Sequence, residues 1–144
     1  MGFHCNYHSL EVSKIKSKIV ADISNIAGHY SEFPPKIENI KIMFNTLKYE
    51  YWIIGIADWD LYKYINYLDS YKYYLGRGIV IQSPPGIKAD IIMIMTAIEH
   101  DCVILTNDNF RDHEDLIPSE LWLEEHRVTF DIINGEFRIY YITK

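Results

Sequence analysis

Apolar residues in this chain fall into two kinds of run, short continuous ones that end on acids and longer ones spaced by three and four. Lys18-Ile19-Val20-Ala21 leads into Asp22, and Tyr51-Trp52-Ile53-Ile54-Gly55-Ile56-Ala57 leads into Asp58 and Asp60. Ile79-Val80-Ile81 and Val103-Ile104-Leu105 are shorter runs of the same kind. Bounded by turn residues, such stretches read as buried strands. Ser24, Asn25, Gly28 and the pair Pro34-Pro35 mark a loop after the first of them. From Lys36 to Lys48 the positions Ile37, Ile40, Phe44 and Leu47 carry helical spacing.

A second helical pattern covers Leu61 to Tyr74, with Tyr62, Ile65 and Leu68 on one line and Tyr64, Tyr67 and Tyr71 on another. Ser83-Pro84-Pro85-Gly86 is a turn. A third helix runs from Lys88 to His100, where Ile91, Met95 and Ile98 join Ile92 and Ile94 in a nearly all-round apolar surface that implies deep burial. The tail from Arg127 to Tyr141 alternates around Asn134-Gly135, the signature of a β-hairpin with a type I′ turn. Strands alternating with helices as far as Thr106 predict an α/β fold whose parallel sheet is covered on both faces.

At 144 residues and 49% hydrophobic, the chain matches one domain with one core. Met1 to Lys18 has scattered charges and no apolar run of signal-peptide length, and no stretch is apolar enough to span a bilayer. The expectation is a soluble, cytoplasmic protein with no membrane association. Two cysteines, Cys5 and Cys102, make no disulfide framework, and His4, Cys5 and His8 lack a second ligand pair at zinc-finger spacing. A net charge of -6 excludes a duplex binder that works through a broad basic face. It does not exclude a nuclease, whose acids bind cations first.

The candidate chemistry lies where the strands end. Asp22 follows the first strand, Asp90 opens the buried helix, and Asp108 and Asp112 follow the fourth strand at a spacing that on a helix would put both on one face. Asp90 would also serve as a helix-dipole partner and Asp58 as an ordinary N-cap, so each alone has a structural explanation. Together, acids at the ends of several parallel strands are costly to cluster without a cation. Hard ions such as Mg²⁺ or Mn²⁺ take several carboxylate oxygens and waters at once, which no single segment supplies.

Asp22-Ile23-Ser24-Asn25-Ile26-Ala27, Ala89-Asp90 and Thr106-Asn107-Asp108-Asn109-Phe110-Arg111-Asp112 resemble the opening, second-acid and closing motifs of the NYN branch of the PIN-like ribonucleases. The resemblance is to the Regnase (MCPIP) type ribonuclease domain in particular, and it spans about residues 18–142. It implies a three-layer α/β/α sandwich over residues 18–144, preceded by an N-terminal extension over 1–17. It further implies metal-dependent endonucleolytic cleavage of RNA, with Asp22, Asp90, Asp108 and Asp112 as the acidic site and Mg²⁺ or Mn²⁺ as cofactor. Asn25 and Thr106 match polar positions beside that site and are expected to orient its carboxylates. Ile23 replaces the family's usual glycine, and no CCCH zinc finger follows, so substrate choice would come from this domain or a partner.

Lys88, Arg111, Lys72 and Arg77 are candidates for holding the phosphate chain. The tyrosine-rich segment from Tyr62 to Tyr74 offers rings for stacking unpaired bases, with Tyr71 and Tyr74 tested first if they face outward, so single-stranded or loop RNA is the expected partner. A homodimer or a protein partner is left open. His29 and His113 fall near the expected cleft, but the metal chemistry has no need of them. Two rivals remain, a non-catalytic RNA-binding or assembly module with the same fold and a structure-specific DNA nuclease.

Overall fold

The computed structural model describes residues 16–31 and 33–141. Most of the expected N-terminal extension, with His4, Cys5 and His8, lies outside the described residues. Six strands, β1 (Ser17–Asp22), β2 (Tyr51–Ala57), β3 (Val80–Gln82), β4 (Val103–Leu105), β5 (Arg127–Ile133) and β6 (Glu136–Tyr140), form one sheet in the order β3-β2-β1-β4-β5-β6. All neighbours are parallel except β5 and β6. The helices are α1 (Ile23–Ala27), α2 (Ile37–Leu47), α3 (Leu61–Tyr64), α4 (Leu68–Gly76), α5 (Ala89–His100) and α6 (Glu120–His126), with a 3₁₀ helix over Arg111–Leu116.

Period-two alternation of the strands makes the layers. Ile19 and Ala21 of β1, Ala57, Leu105 and Val128 pack on one side with Ile26, Ile40, Met43 and Leu61 from α1, α2 and α3. Val20, Ile56 and Ile104, one position out of phase, pack on the other side with Ala89, Met93, Ile94 and Ala97 of α5. The result is the expected three-layer sandwich. At its far edge Asn134 and Gly135 both take positive φ in a two-residue loop between Ile133 and Glu136, as the hairpin pattern predicts.

Several elements differ from the sequence reading, each for a tertiary reason. The loop expected after β1 opens as helix α1, because the Asp22 side chain accepts the Asn25 N–H at 3.2 Å and caps it. The Leu61–Tyr74 helix is broken in two: Ile65 is extended and Tyr67 left-handed. That break lets the Asn66 carbonyl accept the Ile37 N–H at 2.7 Å, capping α2, whose own N-cap residue Lys36 makes no side-chain cap. Burial of α5 is one-sided, and Met95 is 60% exposed because Ala89, Met93, Ile94 and Ala97 form its inward stripe. Helix α6, which no apolar period announced, provides the crossover that lays β5 parallel to β4. Tyr71 is fully buried with its hydroxyl on Gln82, and Tyr74 stacks on Phe44, so neither ring faces outward.

Gly55 is the tight point of the sheet. Its N–H donates to the Ile79 carbonyl at 3.2 Å, and a Cβ there would stand 3.0 Å from that same oxygen and 3.0 Å from Ile23 Cδ1. Since a backbone carbonyl cannot swing aside as a side-chain tip can, Gly55→Ala is expected to cost about 1–3 kcal/mol through overpacking. Urea unfolding measures it; an unchanged midpoint would mean that β3 yields freely.

Candidate functional site

The chain steps outward from β1 to β2 and β3, then returns to the opposite side of β1 as β4. At such a switch point the connections leave in opposite directions and open a crevice beyond the strand ends, where open α/β sheets bind their ligands. Asp22 is the last residue of β1, and alternation puts it in phase with Val20, on the α5 side. It is only 5% exposed. The Thr106 hydroxyl, just past β4, donates to Asp22 Oδ2 at 2.7 Å, and the Asn25 N–H donates to Oδ1.

The same hydroxyl accepts the Asp108 N–H at 3.0 Å, so Thr106 fixes two acids at once. Asp108 Oδ1 then accepts the Phe110 N–H at 3.0 Å, closing a tight turn. Asn25 Oδ1 accepts the Asn107 N–H at 2.9 Å, and the Asn107 amide exchanges two bonds with the backbone of Phe130 on β5. Across β1 from β4, Ser24 Oγ accepts the Asp58 N–H at 2.8 Å. Five aspartates, Asp22, Asp58, Asp60, Asp90 and Asp108, line a cleft of about 660 Å³ together with Ser24, Asn25, Trp59, Gly86, Ile87 and Lys88.

Electrostatics mark the cleft as short of positive charge. Burial is the main cause that pushes the Asp22 carboxyl up from 3.8 to about 7; the bonds from Thr106 and Asn25 pull down, and Asp90 and Asp58 push it further up. Asp90 is also raised, by burial first and Asp108 next, with His113, then Lys88, acting in the opposite direction. His113 is buried with Nε2 3.6 Å from Asp90 Oδ2, beyond hydrogen-bond reach, and that nitrogen has no hydrogen-bond partner.

Of the residues singled out in the sequence, Asp22, Asp90, Asp108, Asn25 and Lys88 line this cleft, and Thr106 lies directly behind it. Asp112 is not among the lining residues. Phe110 adopts a left-handed conformation and Asp112 sits exposed on the 3₁₀ helix that follows, so the helical spacing from Asp108 does not apply. Arg111 lines a separate groove with Asn109, Glu114 and Leu123. Lys72 and Arg77 belong to α4 and the turn after it, and neither lines the cleft. His29 is held by Asp131 of β5 at 2.9 Å. Asp58 is the acid that sequence reasoning left undecided, although it directly follows β2 while Asp22 is the last residue of β1. Trp59, with Lys63 Nζ 4.3 Å from its ring centre, had no signal in the pattern.

Oxygen donors dominate the cleft, and an acid whose carboxyl is raised first by burial and then by neighbouring acids is the kind of group that a hard divalent ion relieves. The residues therefore fit Mg²⁺ or Mn²⁺ better than a soft metal. Among the described residues no three His, Cys, Asp or Glu side chains form a ready-made ligand group. The site is an open wall of carboxylates, suited to an ion that keeps several of its waters.

Comparison with known proteins bears on the same region. The model of the Zc3h12a-like ribonuclease NYN domain matches residues 15–140. Proteinaceous RNase P 2 of Arabidopsis thaliana is 29% identical over 70 residues, 46% of this chain, and Proteinaceous RNase P 3 of the same plant is 27% identical over 74 residues, 49% of this chain. Each match covers 13% of the relative's own length. Two solved structures of the A. thaliana nuclear enzyme PRORP2 superpose with TM-scores of 0.70 and 0.73, at 21% and 18% identity. They cover 97% and 96% of this chain, and 33% and 32% of those chains, and show a shared fold.

The raised Asp22 carboxyl has a thermodynamic consequence. Between 3.8 and about 7 the folded state holds a proton that the unfolded state has lost, so stability falls as pH rises through that window and levels off above it. In EDTA, the gain in melting temperature from Asp22→Asn is therefore expected to grow from pH 4 to pH 8, reaching on the order of 5 °C. Melting curves of parent and variant that run parallel across that range would show that Asp22 titrates normally.

Proposed function

The chain belongs to the Zc3h12a-like ribonuclease NYN family, and from that premise we propose that it is a metal-dependent endoribonuclease working at the cleft of Asp22, Asp58, Asp90 and Asp108. The observation that carries this reading is geometric: Asp22, buried at the end of β1, lines one cleft with Asp58, Asp90 and Asp108 at the carboxyl edge of the sheet. Asp58 takes the place that helical spacing gave to Asp112, because it lines the cleft and Asp112 does not.

These four carboxylates would hold Mg²⁺ or Mn²⁺, which when bound supplies charge neutralisation at the phosphate and a water acidic enough to attack near neutral pH. Thr106 and Asn25 keep the Asp22 oxygens oriented, so that little reorganisation is required when substrate arrives. The Asp108 carboxylate accepts the Phe110 N–H, and its backbone N–H donates to the Thr106 hydroxyl. Lys88, on the cleft wall at the start of α5, is placed to neutralise a phosphate flanking the cut, and the Trp59 ring offers a base a flat surface. Water attacks phosphorus in line and gives up a proton to solvent, the bridging P–O bond breaks, and the leaving oxygen takes a proton from solvent.

An acid-lined cleft in a chain of net charge -6 cannot hold a duplex by phosphate neutralisation. We therefore assign single-stranded or loop RNA as substrate. The relatives named above are much longer than this chain, and their own substrates are not carried over to it.

With labelled single-stranded RNA and Mn²⁺, Asp58→Asn and Asp108→Asn are each expected to cut about 100-fold more slowly or worse, since even outer-shell partners of a metal cost 10- to 100-fold. Asp112→Asn is expected to stay within about threefold of the parent, as surface changes do. EDTA should abolish cleavage, and matched DNA and fully paired RNA should be cut poorly. Full activity in Asp58→Asn with loss in Asp112→Asn would restore the helical grouping. RNA binding with no cleavage under any metal would leave the binding-module alternative standing.

A further inference from the structure

The opposite end of the sheet carries the reverse chemistry. Where β2 begins and α2 ends, Lys16, Phe44, Lys48, Trp52, Tyr73 and Tyr74 line a groove of about 420 Å³. Its floor is made of packed rings, with Tyr74 stacked on Phe44 at 5.2 Å. At the rim, Trp52 is 63% and Tyr73 57% exposed, and Tyr49, exposed in the turn before β2, precedes the groove residue Tyr51 by two. Each of these rings has a cation over it: Lys16 Nζ lies 6.0 Å from the centre of Trp52, Lys48 Nζ 5.1 Å from Tyr49, and the Arg77 guanidinium 5.3 Å from Tyr73. Lys16 Nζ also donates to the Lys48 carbonyl at 2.9 Å, tying two of the pairs together.

We propose that this groove is a second RNA-binding site, which holds an unpaired stretch of the substrate while a distant phosphodiester bond lies in the acidic cleft. The inference rests on RNA being the substrate. Repeated pairing of an exposed ring with a cation is what a single strand requires, because every base has a face to stack and every linkage a charge to neutralise. A protein partner docking through apolar contact would gain little from three cations at the rim. Acids line the cleft at the carboxyl ends of the strands, whereas this groove gathers lysines in a chain that is acidic overall. Strand β2 runs from one site to the other, Tyr51 in the groove and Asp58 in the cleft, a separation of about 23 Å at strand rise. A short oligonucleotide therefore occupies one site only, and a long one reaches both.

The test uses the full chain with fluorescein-labelled single-stranded RNA of about 4 and about 20 nucleotides, a range that brackets ordinary single-strand site sizes. Binding is measured in EDTA, and cleavage of the short RNA in Mn²⁺. Trp52→Thr with Tyr73→Gln should weaken binding of the long RNA in EDTA about tenfold and leave cleavage of the short one in Mn²⁺ unchanged. Lys16→Gln with Lys48→Gln should lower the salt slope for the long RNA by about 0.7 per lysine removed, and it decides the matter if the aromatic pair fails to fold. Undiminished affinity for long RNA in both folded variants overturns the proposal. So does a fall in melting temperature with RNA binding intact, which would mean that another part of this chain fills the groove. If the parent cuts no RNA, the cleft reading fails, while binding in EDTA still decides the groove.

Discussion

A carboxylate buried at the end of the central strand is the constraint around which this molecule is arranged. Ionised Asp22 requires hydrogen bonds where water is absent, and the chain supplies them from two directions, the first turn of α1 and the Thr106 hydroxyl beyond β4. Thr106 has one proton to give, and with that proton on Asp22 its oxygen is free to accept the Asp108 N–H. Satisfying one acid thereby orients the next. The line continues through Asn25 and Asn107 to the backbone of Phe130, so bonds that shape the site also join β1 and β4 to β5. The geometry of the acidic cleft and the integrity of the sheet's carboxyl edge are one network.

Those bonds offset the cost of the buried charge only in part, since the Asp22 carboxyl remains well above its ordinary value. An acidic cleft also repels the polyanion it is proposed to cut. Both difficulties have the same remedy, a divalent cation that neutralises the acids and presents positive charge to a phosphate. Capture of the rest of the strand then falls to surfaces away from the acids, and the aromatic and cationic groove at the other end of β2 has that composition. Distance along β2 keeps Lys16 and Lys48 of that groove from forming ion pairs with the cleft carboxylates.

Much of this was legible in the sequence because it depends on local pattern. Short apolar runs ending on Asp22, Asp58 and Thr106 gave the central strands, and Asn134-Gly135 gave the hairpin. The remainder depends on contacts between distant segments. Asn66 breaks the tyrosine-rich helix in order to cap α2, which no spacing within residues 61–74 reveals. Spacing alone leaves Tyr71 either packed against the sheet or facing outward, and contact with Gln82 decides it: the ring is buried with its hydroxyl bonded there. Asp58 could have been recognised, since it stands after β2 as Asp22 stands at the end of β1. Asp108 and Asp112 do not share a helical face, because spacing of four means one face only if the residues between are helical, and Phe110 is not.

That same residue shows how packing reaches the chemistry. Phe110 holds φ at 57°, a region in which a bulky residue is seldom found and which costs on the order of 1–3 kcal/mol. Its ring is buried in the core beneath α5, among Ala89, Met93 and Ile104, and burying an aromatic side chain contributes about as much as the backbone costs. Held there, its N–H points at Asp108 Oδ1. The apolar core behind the cleft thus sets the angle of a carboxylate that lines it, through a residue that is itself buried.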